Sequence, residues 1–115
     1  MEIKDSNITI MIKDMDTSIA FYQSIGFSIK QRWENYYAQL VAKGITIGLH
    51  PANENYSTNN SANISIGFTT ENFEAAKKEL EQLKINFTTR EEEGGQFLHF
   101  TDPDGTALYF IKSKW

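Results

Sequence analysis

The sequence predicts an α+β protein in which one order of elements, a strand, a helix and three further strands, occurs twice. Alternating apolar residues mark the strands, and apolar residues at helical spacing mark one helix in each half. The spacing repeats as well, because eight residues separate Asn7 from Met15 in the first half and Ser65 from Phe73 in the second. These observations predict two βαβββ modules in a pseudo-twofold arrangement, whose eight strands form a cupped sheet with the helices on the outside.

The first module covers residues 1–50 and begins with a strand of alternating isoleucines. A helix follows, with Asp14 or Asp16 as its N-cap and Gly26 as its stop signal. Three short strands complete the module, at 27–31, 33–41 and 45–50.

A polar linker, residues 51–61, leads to the second module, residues 62–115, and we expect both modules to form one domain over 1–115. The module starts again with a strand and then a helix. The apolar residues of that helix share one face: Phe73, Ala76, Leu80 and Leu83. Three more strands follow, and a tight Asp-Pro-Asp-Gly turn at 102–105 joins the last two. Alternation in the last strand directs Leu108 at the helix and Tyr109 at the cup.

Composition and charge restrict the function classes. The net charge of −4 and the pI near 5.1 argue against nucleic-acid binding, because no basic stripe is present to bind phosphates. The absence of cysteine excludes disulfides, thiolate metal sites and cysteine nucleophiles. No apolar run has the length of a signal peptide or a membrane span, so we expect a soluble cytoplasmic protein.

Two segments are similar to the signatures of a known family. DMDTSIAFYQSIGF and TDPDGTALYF resemble those of the vicinal oxygen chelate superfamily, which groups glyoxalase I, extradiol dioxygenases, fosfomycin-resistance enzymes and bleomycin-resistance proteins. The likeness covers nearly the whole chain and implies the duplicated βαβββ fold. It does not select one function, because this fold hosts isomerases, dioxygenases, transferases and non-catalytic binders.

The resemblance also implies a divalent metal held by the first and last strands of each module. Asn7 and Ser65 stand at the first-strand positions, and Gly48 and Tyr109 stand at the last-strand positions. None of them supplies the imidazole or carboxylate on which Zn, Fe, Mn and Ni sites rely. We therefore predict no metal and no cofactor, and we interpret Tyr109 as a bulky amphipathic wall in place of a metal ligand.

Both histidines are further candidates for the cup. His50 shares the predicted parity of Gly48, and His99 precedes the tight turn by three residues. Two imidazoles without a carboxylate do not make a metal site, so a displaced metal stays an alternative. Of the two neighbouring tyrosines, Tyr36 is favoured to face the cup. Arg32 and Arg90 are candidates to bind an anionic ligand, with a solvated surface arginine as the alternative in each case.

Two function classes remain open. The preferred prediction is a small-molecule-binding protein with a metal-free concave pocket. Its candidate ligand-binding residues are Asn7, Tyr36, Gly48, His50, Ser65, His99 and Tyr109. The alternative is a lyase, an isomerase or a dioxygenase-like enzyme, with either a non-standard metal site or an acid–base pair of His99 and Tyr109. In a third hypothesis, the protein's own side chains fill the cup. We expect a homodimer, in which modules pair within a chain or swap between chains.

Overall fold

The structure is a computed structural model that describes residues 1–53, 64–92 and 95–113. Its elements, in chain order, are β1 (Ile8–Ile12), α1 (Met15–Ser24), β2 (Ser28–Trp33), β3 (Tyr37–Ala42), β4 (Ile45–Pro51), β5 (Ser65–Thr69), α2 (Phe73–Gln82), β6 (Thr88–Glu92), β7 (Gly95–Thr101) and β8 (Ala107–Ser113). This order confirms the two predicted βαβββ modules.

Each module has its own four-stranded sheet. In the first compact unit, Met1–Asn60, the strand order is β1-β4-β3-β2, and in the second, Ser61–Trp115, it is β5-β8-β7-β6. In both sheets the first strand pairs in parallel with the last strand of its module, and the other pairs are antiparallel. The eight predicted strands are therefore present as two sheets of the same topology.

One face of each sheet is packed with apolar side chains and covered by the helix of its module. The buried residues of the first module include Ile10, Ile12, Ile19, Tyr22, Leu40, Ile47 and Leu49. Those of the second module include Ile66, Phe73, Leu80, Leu98, Phe100 and Leu108. Burial of one such side chain stabilises the fold by about 1.5–3 kcal/mol. Leu83 departs from the predicted stripe and is 44% exposed, because it lies at the C-cap of α2.

Side-chain caps fix where both helices begin. The structure selects Asp14 over Asp16 as the N-cap of α1, since its Oδ2 accepts a hydrogen bond of 2.8 Å from Thr17 N and one of 2.6 Å from Thr17 Oγ1. Asn72 Oδ1 accepts a hydrogen bond of 3.0 Å from Ala75 N at the start of α2. Gly26 adopts φ 119° just after α1, a conformation that glycine reaches without strain.

The predicted strand at 33–41 is wrong at its start, because residues 34–36 form a turn between β2 and β3. Glu34 has φ 47°, and Tyr36 N donates to Trp33 O at 2.9 Å. Arg32 holds this turn, since its guanidinium donates to Glu34 O and to Asn35 Oδ1, each at 2.7 Å. Tyr36 is consequently 73% exposed in a turn, outside the strand face to which it was assigned.

The strand before the linker extends one residue further than predicted, so the linker begins after residue 51. Pro51 is the last residue of β4, and Ala52 N donates to Ile12 O at 2.8 Å. The rest of that linker from residue 54 onward lies outside the described residues. Neither of the two helices in the described ranges has the length and apolar character that crossing a membrane requires.

Candidate functional site

The face of the second sheet opposite α2 carries three aromatic rings. Phe97 and His99 stack with their centroids 5.6 Å apart and their planes 14° apart. The Tyr109 ring lies 5.8 Å from Phe97 and 5.7 Å from His99, and all three side chains are half-buried. His99 and Tyr109 meet because they are direct partners between β7 and β8, and Phe97 precedes His99 by two residues on the same strand face. We call Phe97, His99 and Tyr109 the aromatic face.

Tyr109 also lies over a glycine of the neighbouring strand. Gly67 pairs with Tyr109 between β5 and β8, and a Cβ placed on Gly67 would overlap the tyrosine Cζ, Cε2 and hydroxyl. Ser65 precedes Gly67 by two residues and therefore shares its face, where it is exposed and pairs with Ala107. The structure thus brings three of the predicted site residues, Ser65, His99 and Tyr109, to one face of one sheet.

The edge strand β6 adds charge to the same face. Arg90 lies directly opposite Phe97, and Glu92 lies opposite Gly95. The side chains of Arg90 and Glu92 are 65% and 51% exposed, and Arg90 Nη1 is 3.5 Å from Glu92 Oε1. Directly opposite residues point to the same side of a sheet, so this ion pair borders the aromatic face.

In the first module Tyr37 covers Gly48, which has the position in β4 that Tyr109 has in β8. A Cβ on Gly48 would come within 2.7 Å of Tyr37 Cζ and 2.9 Å of Cε1. The Trp33 and Tyr37 rings pack at 5.7 Å. The prediction that Tyr36 faces this side is therefore wrong by one residue, because β3 starts at Tyr37 and not before it.

The remaining candidates of the first module lie at the ends of strands. His50 follows Gly48 by two residues on the same face, is half-buried, and donates from Nδ1 to Pro51 O at 2.8 Å. Asn7 is exposed and precedes the first residue of β1.

Two charged groups considered from the sequence have structural roles. Asp102 is buried, and its Oδ1 accepts hydrogen bonds from Asp104 N at 2.9 Å and Thr106 N at 2.8 Å, which fixes the turn between β7 and β8. Arg32 pairs with Asp16 at 2.7 Å in addition to holding the β2–β3 turn. The Arg32 guanidinium thus makes three hydrogen bonds of 2.7 Å, whereas the more exposed Arg90 has the single contact of 3.5 Å with Glu92.

Comparison with known proteins decides the family. A sequence model described as the Glyoxalase/Bleomycin resistance protein/Dioxygenase superfamily matches residues 6–110. The chain belongs to this superfamily. A search among curated protein sequences gave no match.

Solved structures of this superfamily's fold resemble the chain over nearly its full length. A glyoxylase/bleomycin resistance protein/dioxygenase domain from Frankia sp. EAN1pec is 21% identical, with a TM-score of 0.73 over 99% of this chain and 100% of that one. A bleomycin-binding protein solved with bleomycin is 18% identical, with a TM-score of 0.71 over 97% and 100%. A fosfomycin resistance protein from Listeria monocytogenes, solved with Mn(II) and sulfate, is 18% identical, with a TM-score of 0.81 over 99% and 93%.

The residues present do not fit the divalent metal that the glyoxalase/dioxygenase relationship implies. Asn7, Gly48, Ser65 and Tyr109 stand at the expected ligand positions and provide neither imidazole nor carboxylate. Across the described parts of the chain, no group of three or more histidine, aspartate or glutamate side chains could hold a metal ion. The polar groups that this superfamily member presents on the aromatic side of its second sheet are therefore hydroxyls and an imidazole, from Ser65, Tyr109 and His99.

A cavity of about 220 Å³ lies on the helix side of the second module, and Arg90 on the edge strand contributes to its lining as well as bordering the aromatic face. Its lining combines residues of α2 with residues of β6 and β7: Phe73, Glu74, Lys77, Thr89, Arg90, Glu91 and Gln96. Both signs of charge are present in this lining, so its composition does not indicate one class of ligand.

Sequence reasoning missed the residues that shape the aromatic face from beneath and beside it. Gly67 and Phe97 were not candidates, although Phe97 alternates with His99 and that period of two was the available signal. The role of Gly67 depends on the register of β5 against β8, which this superfamily's sequence pattern alone does not give.

Proposed function

We propose that this superfamily member is a small-molecule-binding protein that holds a planar ligand on the aromatic face of its second module. The observation that supports this most directly is the set of three adjoining rings, Phe97, His99 and Tyr109, on the sheet face that α2 does not cover. Stacking and edge contacts between rings contribute about 0.5–1.5 kcal/mol beyond the area that they bury. A planar ligand gains such contacts from more than one of these residues at once.

Polar groups on this face give the ligand an orientation. Ser65, His99 and Tyr109 supply two hydroxyls and an imidazole, which both donate and accept hydrogen bonds. Ligand sites in proteins combine a mostly apolar lining with a few such groups. Of the residues predicted from the sequence, we therefore place these three in the ligand site of the second module and propose Gly48 and His50 for the corresponding face of the first.

The relatives support binding in general and not a particular ligand. The bleomycin-binding protein of similar fold was solved with bleomycin, so the fold accommodates a small molecule in that protein. At 18% identity the two proteins share the fold alone, and the ligand of that protein is not transferred to this chain. We further propose that residues 1–115 act as one domain and that binding requires no metal.

A second candidate function follows from the contact between His99 and Tyr109. Their rings are 5.7 Å apart, so both groups reach one bound molecule and could move a proton to and from it. This would make the protein a metal-free lyase or isomerase. The two functions differ in one measurement, because only the enzyme alters its ligand during prolonged incubation.

A titration with 2-naphthamide, a neutral planar probe, tests the binding function. We expect saturable shifts of the backbone amide signals of β7 and β8 in nuclear magnetic resonance spectra. Tyr109→Ala removes one ring of the aromatic face and should weaken binding about tenfold, whereas Leu83→Ala, which removes a 44% exposed apolar side chain at the end of α2, should leave it unchanged. Equal affinity of the wild type and Tyr109→Ala, or shifts confined to other elements, would overturn the proposal.

A further inference from the structure

We propose that the aromatic face selects planar ligands that carry a carboxylate, with Arg90 as the group that binds it. This inference rests on the proposed binding function and specifies the chemical class of the ligand. Its basis is the position of Arg90 directly opposite Phe97, one of the three rings, which neither the superfamily assignment nor the similar structures indicate.

The register places Arg90 at the right distance. Arg90 is the direct cross-strand partner of Phe97, and the next pair on the same face of the sheet joins Thr88 to His99. Side chains directly opposite each other have Cβ atoms about 4.5–5.5 Å apart. A ring stacked on Phe97 therefore has its edge within reach of the Arg90 side chain, and a carboxylate on that edge can accept two parallel N–H bonds from the guanidinium.

The present partner of Arg90 leaves its guanidinium accessible. The contact with Glu92 is 3.5 Å long, and both side chains are more than half exposed. Exposed pairs of this kind contribute little to stability, so a better-placed carboxylate can replace Glu92. Arg32 offers a contrast, because its guanidinium makes three hydrogen bonds of 2.7 Å within its module.

Arg90 is the group on this face that attracts an anion, and the nearby carboxylate of Glu92 opposes it. Along the described residues on this side of the second sheet, Arg90 is the sole lysine or arginine, Glu92 is the sole acidic residue, and His99 is the titratable group between them and Tyr109. Lys112 pairs with Gln96 and belongs to the opposite side of the sheet. Removal of Glu92 should consequently strengthen the binding of an anionic ligand, and removal of Arg90 should abolish the preference for it.

The experiment compares 2-naphthoate with 2-naphthamide, which has the same ring system without the charge. At low salt we expect the wild type to bind naphthoate about fivefold more tightly than naphthamide, and the difference to shrink as ionic strength rises. Arg90→Gln should equalise the two affinities, because the affinity for naphthoate falls to that for naphthamide. Arg90→Lys should restore part of the preference, since a lysine retains the charge but not the bidentate geometry.

Two further variants complete the design. Glu92→Gln should raise the affinity for naphthoate severalfold and leave naphthamide unaffected, whereas Lys112→Gln removes a cation from the other side of the sheet and should change neither. Circular dichroism of each variant verifies that it is folded.

The outcomes separate this inference from the binding function on which it rests. If the wild type binds both probes with equal affinity and this binding depends on Tyr109, the carboxylate preference is overturned and the binding function stays intact. A preference that persists in Arg90→Gln would overturn the role of Arg90. Failure of both probes to bind would count against the binding function itself.

Discussion

The ring of Tyr109 lies directly over Gly67 of the neighbouring strand, where any larger residue would overlap it. The glycine thereby lets the ring lean across the sheet from β8 to β5 while His99 contacts it from the other side at 5.7 Å. A similar relationship occurs in the first module, in which Tyr37 covers Gly48. In both modules a tyrosine thus lies over a glycine of the neighbouring strand, on the face that the helix does not cover.

Gly67→Ala should displace the Tyr109 ring. We expect a loss of about 1–3 kcal/mol in the free energy of unfolding, because the added Cβ forces the ring out of its position. Urea unfolding of the single variants and of the double variant Gly67→Ala/Tyr109→Ala checks this. With the ring absent, the alanine should cost much less than it does alone, so the two changes should be strongly non-additive. Additive effects would show that the overlap is relieved without movement of the tyrosine.

The two faces of β8 should differ in their contribution to stability. Leu108 is 1% exposed beneath α2, so Leu108→Ala should cost about 2–5 kcal/mol. Tyr109 is only half-buried on the other face, and Tyr109→Ala should cost less than the leucine variant while it weakens probe binding. Urea melts of both variants measure the difference. A tyrosine variant as unstable as Leu108→Ala would mean that Tyr109 is a core residue.

The sequence predicted most of the fold because local signals and the hydrophobic pattern agree. Asp14 and Gly26 mark the ends of α1, and strict alternation marks β1, so each element was found close to its observed position. The Tyr36 assignment failed because strand alternation was continued through residues 34–36, where the Arg32 guanidinium holds a turn by donating to Glu34 O and Asn35 Oδ1. The alternation of apolar residues carries no information about such side-chain contacts.

The acid dependence of stability should include a contribution from Asp14. The hydrogen bonds from the Thr17 side chain and backbone lower the pKa of this carboxyl below its ordinary value of 3.8. Its stabilising effect is therefore fully present above about pH 4 and is lost as the pH falls through the lower pKa of the folded state.

Urea midpoints of the wild type and Asp14→Asn, measured between pH 6 and pH 2, test this effect. The asparagine still caps the helix but does not ionise. The advantage of the wild type should shrink toward pH 2. A difference that stays constant across this range would show that ionisation of Asp14 does not contribute.

We expect a homodimer in solution. All six residues of β2 are exposed, and four exposed large apolar side chains lie at or beside this edge strand: Ile29, Trp33, Tyr36 and Val41. A second copy that covers this surface would bury them, and twofold symmetric pairs are the commonest assemblies. Light scattering at micromolar concentration should give twice the 13.2 kDa mass of one chain, and Trp33→Glu should shift the protein toward monomer. A wild-type mass of one chain would refute the prediction.

The metal content should be far below one ion per chain. Asn7, Gly48, Ser65 and Tyr109 at the family's ligand positions lack the donors that Zn, Fe, Mn and Ni prefer. Protein purified without chelator and without a metal-binding tag should contain only traces of these elements by mass spectrometry. Its melting temperature should be unchanged by EDTA, since a protein that holds no metal has no metal-bound state to lose.

The variant Tyr109→Glu tests whether the tyrosine alone prevents metal binding. It introduces a carboxylate beside His99, but the neighbouring Ser65 and Gly67 add no imidazole or carboxylate, so the site would hold two strong ligands where a stable one needs three or more. We therefore expect this variant to gain at most weak affinity for Zn²⁺.

One tightly bound ion per chain in the wild type would contradict the prediction of a metal-free protein. In that case His50→Ala and His99→Ala would show which histidine binds it, because only loss of a true ligand lowers the metal content.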